Sequence, residues 1–278
     1  MQEEINMEDN FKIGIIGGKG KMGEFFARFF QKKGYYVLVS DKDTQLNNQS
    51  LLQEAKVILI SVPMSVFPKV VEEIAEFTTP EHWILDVCSL KLEPYKIMKS
   101  LLKKPEVLAT HPLFGPYETS LKGKTIAYFP IRGKNLLNWF IKVMSEDGLS
   151  LIKISPKKHD QIMGLVQVLN HFWLVLLGNI INHSGFRLEE IVSLATPSFL
   201  KQLEILQRLA YQDEKLYTKI QVDNPYGKRF RTLFYRECKK LIKALNSSEA
   251  QVFFETNFKE VKTLAKTLEN LLKSSHPH

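Results

Sequence analysis

From Phe11 onward the chain alternates short, almost wholly apolar runs with segments of helical period. FKIGIIG is followed by GEFFARFFQKKG, YYVLVSD by LLQEA, VILISVP by SVFPKVVEEIAEFT, and then comes HWILDVC. Runs of this length predict strands covered on both faces, and the helices between them predict parallel crossovers. The pattern continues less regularly through VLATHPL, KTIAYFP, a helix over LLNWFIKVMSED and a last strand, LSLIKIS, which ends at Ser155-Pro156. Beyond Pro156 the β signal stops. Helical periodicity then runs to the C-terminus, broken at His183-Ser184-Gly185, near Thr196-Pro197 and at Asn224-Pro225-Tyr226-Gly227. The spacing predicts an α/β domain over 11–155 and an all-α domain over 156–278, with no internal repeat.

Length and composition agree with this division. A chain of 278 residues can bury two cores, and 44% hydrophobic with 24% charged residues is the balance of a soluble globular protein. One segment, Ile162 to Ile181, approaches the length of a membrane span. It carries Gln167, Asn170, His171 and Asn179, so the expectation is a buried helix, packed within the protein or against another subunit, and no membrane. Cys88 and Cys238 stand far apart with no metal-ligand spacing around either, which predicts no disulfide framework and no metal site and fits the cytoplasm. The first ten residues lack an apolar h-region, so no signal peptide is expected. The net charge of +8 is concentrated in residues 226–243, which reads as the solvated face of a helix. No nucleic-acid motif accompanies it, and the positive field suits a small polyanionic ligand instead.

The first turn of the α/β domain carries chemistry. In IGIIGGKGKMGEFF, Gly18, Gly20 and Gly23 form G-x-G-x-x-G directly after a strand and before a helix, with Lys21 and Met22 inside the loop. This is the context of a Rossmann-type dinucleotide site: glycines let the backbone approach a pyrophosphate, and the helix offers unpaired amides and its positive end. The second strand ends at Asp41, whose carboxylate suits ribose hydroxyls and repels the extra phosphate of NADP, so NAD is expected. Lys42, next in line, keeps NADP as the lesser alternative.

Ligands of open α/β sheets sit outside the carboxyl ends of the strands. Three runs end there with polar residues: Ser61-Val62-Pro63, Asp86 to Lys91, and Thr110-His111-Pro112 within ATHPLFGP. Hydride transfer from a carbon bearing a hydroxyl leaves a proton to remove, and a neutral imidazole at His111 is suited to take it. Ser89 is placed to hold the same hydroxyl. The alternatives are a loop histidine bonded to backbone and a serine N-cap.

Taken together, Gly18-Gly20-Gly23, SVP at 61–63, DVCSLK at 86–91, THPLFGP at 110–116 and QVLNHF at 167–172 resemble the prephenate dehydrogenases of tyrosine biosynthesis. The likeness is greatest to the dehydrogenase part of the bifunctional bacterial chorismate mutase/prephenate dehydrogenase, and it extends from Phe11 over essentially the whole chain. It implies a Rossmann-type domain, a helical substrate domain that makes a homodimer, and oxidative decarboxylation of prephenate, or of arogenate or a 4-amino analogue, with NAD. It further implies His111 as the general base, Ser89 as its partner on the hydroxyl, and Lys91 in the same motif on the substrate. Gln167 and His171 would line the substrate pocket, and Arg208, in EILQRLAYQ, would bind the ring carboxylate. Cys88 departs from the small residue or threonine usual before Ser89. Only about ten residues precede the first strand, so no fused mutase bundle is expected, and a separate chorismate mutase is a candidate partner.

Overall fold

The structure is a computed structural model and describes residues 11–275. Its first part runs β1 (Ile13–Ile16), α1 (Lys21–Lys32), β2 (Val37–Ser40), α2 (Asn48–Glu54), β3 (Val57–Ile60), α3 (Phe67–Ala75), β4 (Trp83–Asp86), α4 (Leu92–Leu101), β5 (Glu106–Pro112), β6 (Thr125–Arg132), α5 (Asn135–Ser145) and β7 (Ser150–Lys153). The seven strands form one sheet in the order β2-β1-β3-β4-β5-β6-β7. From β2 to β5 every pairing is parallel, β6 runs antiparallel to β5, and β7 is parallel to β6. The reversal at β6 follows from its connection. Residues 113–124 contain no helix, and a link without a crossover element joins antiparallel neighbours.

Strand residues alternate strictly between two cores. Ile13, Ile15, Val57, Leu59, Trp83, Leu85 and Leu108 pack beneath α1 and α5, together with Phe26, Phe30, Trp139 and Phe140. Ile16, Ile58, Ile60, Ile84, Val107 and Ala109 face α2, α3 and α4, with Leu51, Phe67, Val71, Ile74 and Met98. A strand with helices on both sides buries every residue, which is why these runs read as continuous apolar stretches. The carboxyl ends of β1 to β5 therefore share one edge, and the order reverses between β1 and β3, where ligands of such sheets bind.

The helical part comprises α6 (Pro156–Met163), a π-helical turn (Gly164–Leu169), α7 (Asn170–Asn182), α8 (Leu188–Ser193), α9 (Pro197–Gln207), a 3-10 turn (Arg208–Tyr211), α10 (Glu214–Asp223), α11 (Gly227–Leu245) and α12 (Ala250–Ser275). The chain divides into two compact units. The first runs to Met163 and takes in Gln212–Asn224, so α6 and α10 belong with the sheet; the second comprises Gly164–Tyr211 and the chain from Pro225. Of the helix expected over 162–181, buried within the protein or against another subunit, this one chain covers only part. Pro156–Asn182 is long and apolar enough to cross a membrane, yet only 22% of its most apolar 18-residue window is buried. Val168, Leu174, Leu177 and Ile181 are buried, whereas Leu165, Val166, Val175 and Ile180 are at least half exposed. The apolar residues of the helix extend beyond the face that this one chain covers.

Candidate active site

The turn between β1 and α1 is shaped by glycines. Gly17 adopts φ +78°, a left-handed conformation that β-carbon-bearing residues rarely take, and a Cβ there would lie 2.5 Å from the Ser61 carbonyl oxygen. A Cβ on Gly23 would stand 2.3 Å from the Gly17 oxygen, so the start of α1 rests directly on the loop. Gly20 is the N-cap of α1 and supplies no side-chain cap, which leaves the first-turn amides around Lys21, Met22 and Gly23 for a ligand. Ser61 lies alongside, its N–H donating to the Ile16 carbonyl at 2.8 Å, and Val62 and Pro63 continue from it. Asp41 follows β2. One carboxylate oxygen accepts the Lys19 N–H at 2.9 Å and the other the Lys42 N–H at 2.8 Å, which fixes the acid against the glycine loop. Loop, helix end and carboxylate together fit the pyrophosphate and ribose of a dinucleotide.

A second cluster lies at the ends of β4 and β5. His111 is 2% exposed and its Nδ1 is 2.9 Å from Nε2 of His159, a residue of α6. His159 Nδ1 in turn is 2.8 Å from Asp160 Oδ1. The Asp160 carboxylate also accepts the backbone N–H groups of Lys91, at 3.0 and 3.2 Å to its two oxygens, and of Leu92 at 2.9 Å. It thereby caps the N-terminus of α4, a favourable place for negative charge. A carboxylate only accepts, so a neutral His159 keeps its one proton on Nδ1 and presents Nε2 as an acceptor. His111 then donates from Nδ1, and the network assigns the lone pair of its imidazole to Nε2. Burial first, then His159 and Lys91, push the His111 imidazole well below the usual histidine range, so it stays neutral. A neutral imidazole with an oriented lone pair is a proton acceptor.

Ser89 is half-buried in the segment between β4 and α4 and does not cap that helix; Lys91 occupies the N-cap position and the Asp160 carboxylate bonds the first amides. Lys91, expected on the substrate, is instead fully buried, its Nζ donating to Asp86 Oδ2 and to the Thr110 carbonyl, each at 2.5 Å. Cys88 is buried in the core facing α2 to α4, and burial together with Asp86 raises its thiol well above the ordinary range, so it acts as a small apolar residue. His159, Asp160 and the part played by Asp86 escape a reading of the sequence; the adjacent His-Asp pair just after Pro156 is the one local cue.

The remaining candidates belong to the second unit. Gln167 sits in the π-helical turn, a distortion frequent at functional sites, and its Oε1 is buried without a hydrogen-bond partner. Gly164 opens that turn against Phe230, whose ring would lie 2.8 Å from a Cβ. His171 follows in α7, where burial lowers its imidazole to about 4. Arg208 is exposed at the end of α9. Among the described residues, no group of three or more His, Cys, Asp or Glu is placed to hold a metal ion.

Comparison with known proteins finds matches over both the sheet-bearing and the helical part of the chain. Residues 28–138 match the family model described as prephenate dehydrogenase, nucleotide-binding domain, and residues 155–260 the one described as prephenate dehydrogenase, dimerization domain. The chain is 30% identical over 262 residues to a probable arogenate/prephenate dehydrogenase of Methanocaldococcus jannaschii, covering 88% of this chain and 59% of that protein. It is 30% identical over 242 residues to the T-protein of Enterobacter agglomerans, covering 87% and 64%. It thus spans about three fifths of the length of these curated relatives. The fold is shared with prephenate dehydrogenase from A. aeolicus, solved in complex with hydroxyphenyl propionate and NAD+, at a TM-score of 0.72 and 19% identity over 93% of this chain and 98% of that one. The chain belongs to the prephenate dehydrogenase family.

Proposed function

We propose that the protein oxidatively decarboxylates prephenate to 4-hydroxyphenylpyruvate with NAD. The observation that carries this reading is the neutral, buried His111, held by His159 and Asp160 with its lone pair on Nε2, in the same unit as the dinucleotide loop. When bound, the nicotinamide supplies the hydride acceptor for the hydroxyl-bearing ring carbon. His111 accepts the hydroxyl proton at Nε2 as the C–O bond becomes a carbonyl, and Ser89 holds the same oxygen. The charge that develops on His111 is passed as electrostatic stabilisation to the His159–Asp160 pair, as in other His–carboxylate arrangements. The ring carbonyl lies para to the carboxylate, so the C–CO2 electrons move into the ring, carbon dioxide leaves, and the ring becomes aromatic as the oxygen regains a proton. Arg208 serves as the carboxylate ligand through its planar fork, and Gln167 and His171 serve as further substrate ligands.

NAD is proposed over NADP because Asp41, fixed by two backbone amides, stands where a ribose phosphate would meet its negative charge. Prephenate is proposed over arogenate because both matching family models are described as prephenate dehydrogenase; the M. jannaschii relative, named for both, keeps arogenate as the second reading. A turnover assay crossing prephenate and arogenate with NAD and NADP tests this. The expected result is kcat/KM at least about tenfold higher for prephenate with NAD than for the other three pairs, a modest difference of roughly 1.4 kcal/mol. Higher kcat/KM with arogenate overturns the substrate, and higher kcat/KM with NADP the cofactor.

We also infer a homodimer through the second unit. The half-exposed apolar residues of Pro156–Asn182 support it, as does a stripe on α12, Phe254, Phe258, Val261, Leu268 and Leu272, spaced like a helix-pairing seam. So does the match to a dimerization domain. Sedimentation equilibrium is expected to give twice the chain mass of 32.1 kDa; a single-chain mass at micromolar concentration overturns the dimer.

A further inference from the structure

We propose that Lys91 is a positioning residue for His111: its buried ammonium, clamped between Asp86 and the Thr110 carbonyl, fixes the end of β5 from which His111 projects. The ladder between β4 and β5 ends at the pair Asp86–Ala109. One residue further on, Thr110 has no β4 partner for its peptide groups, and side chains replace the missing rung. The Thr110 N–H donates to Asp86 Oδ1 at 3.0 Å, and the Thr110 carbonyl accepts from Lys91 Nζ. That carbonyl belongs to the peptide bond leading into His111. The second Asp86 oxygen accepts both Lys91 Nζ and the Cys88 N–H, at 2.5 and 2.9 Å, so the same pair also sets the backbone just before Ser89.

Lys91 reaches His111 by a second route. Its backbone N–H bonds Asp160, which orients His159, which orients His111. One residue therefore ties the strand that carries the imidazole to the relay that selects its tautomer. Asp86 and Lys91 are both 0% exposed, and lysines are almost never buried to that degree unless paired. A buried ion pair contributes little net stability over an apolar pair of the same shape, which turns attention to what its geometry and charge do. The charge matters because an unscreened cation disfavours a second one nearby. The groups facing His111 are His159 with Asp160 behind it from α6, Lys91 from the start of α4 and, through Lys91, Asp86 from β4; β6 brings Ala127 opposite. Lys91 joins burial and His159 in holding the imidazole neutral.

The proposal rests on the reading of His111 as the base, and its test separates the two. Lys91→Met is compared with the double variant Asp86→Asn/Lys91→Met, which leaves no unpaired charge buried and so carries the test where the single variant does not fold. Two readouts are taken on the full chain: the NMR titration midpoint of His111, assigned against His111→Asn, and kcat and KM for prephenate with NAD across pH. The expected result is a His111 midpoint raised in both variants, with the acid limb of kcat following it upward. In Lys91→Met, kcat also falls about tenfold or more while KM stays within a few-fold. A midpoint and acid limb equal to wild type in a folded double variant overturn the proposal. A wild-type protein that oxidises no cyclohexadiene substrate overturns the functional reading, and the titration arm still decides the role of Lys91.

Discussion

Replacing His111 with asparagine is expected to lower kcat for prephenate by roughly a hundredfold or more, with KM changed only a few-fold. Asparagine is a lenient replacement here. Its amide N–H2 can still donate to His159 Nε2, as His111 Nδ1 does at 2.9 Å, so the buried relay keeps its partner. What disappears is the lone pair on the far side of the ring. A loss confined to kcat therefore reports the missing proton acceptor, and not a collapsed site. The pH profile gives a second reading of the same residue. Burial, His159 and Lys91 all press the imidazole below its ordinary value, so wild-type kcat/KM should hold its plateau through neutral pH and fall only on the acid side of the usual histidine range. That acid limb should vanish in His111→Asn. Turnover within a few-fold of wild type would remove His111 from the mechanism.

The features legible in the sequence are those encoded locally. Strands β1, β3, β4 and β5 announce themselves because both faces are covered and the residues before their polar carboxyl ends are mostly apolar. Gly18, Gly20, Gly23 and Asp41 lie at short, fixed offsets around one strand and one helix. Even there the template hid something: the glycine held at positive φ is Gly17, just ahead of the three that fit the motif. The relay was not legible, because its members meet only after folding. His111 and His159 are 48 residues apart, and Lys91 and Asp160 are 69 apart. Lys91 misled for a physical reason. A lysine in a strand-end motif is ordinarily a ligand for an anion, and only its pairing with Asp86 inside the sheet edge explains a side chain with no exposed surface. For the helix over 162–181 the sequence shows the apolar run, and not whether the same chain or a second copy covers it.

Asp160→Asn is the sharper test of that relay, and its expected effect is a loss in kcat approaching that of His111→Asn, roughly a hundredfold. The carboxylate accepts four contacts, from the Lys91 N–H at both oxygens, from the Leu92 N–H and from His159 Nδ1. An amide has one accepting oxygen and one donating nitrogen, so it cannot satisfy all of them. If the oxygen stays on the α4 amides, the amide nitrogen donates to His159 Nδ1. That forces the His159 proton to Nε2, where it meets the Nδ1 proton of His111, and His111 must shift its own proton to Nε2. The base then keeps its position and loses its lone pair where it is needed. If the amide turns the other way, its N–H2 opposes the backbone donors of Lys91 and Leu92, and the cap of α4 is lost. Both orientations damage the same function, through tautomer or through position. His159 and Asp160 act only through His111, so the double variant His111→Asn/Asp160→Asn should be little slower than either single one. Fully multiplicative losses would show that Asp160 acts on the reaction by some route other than the imidazole.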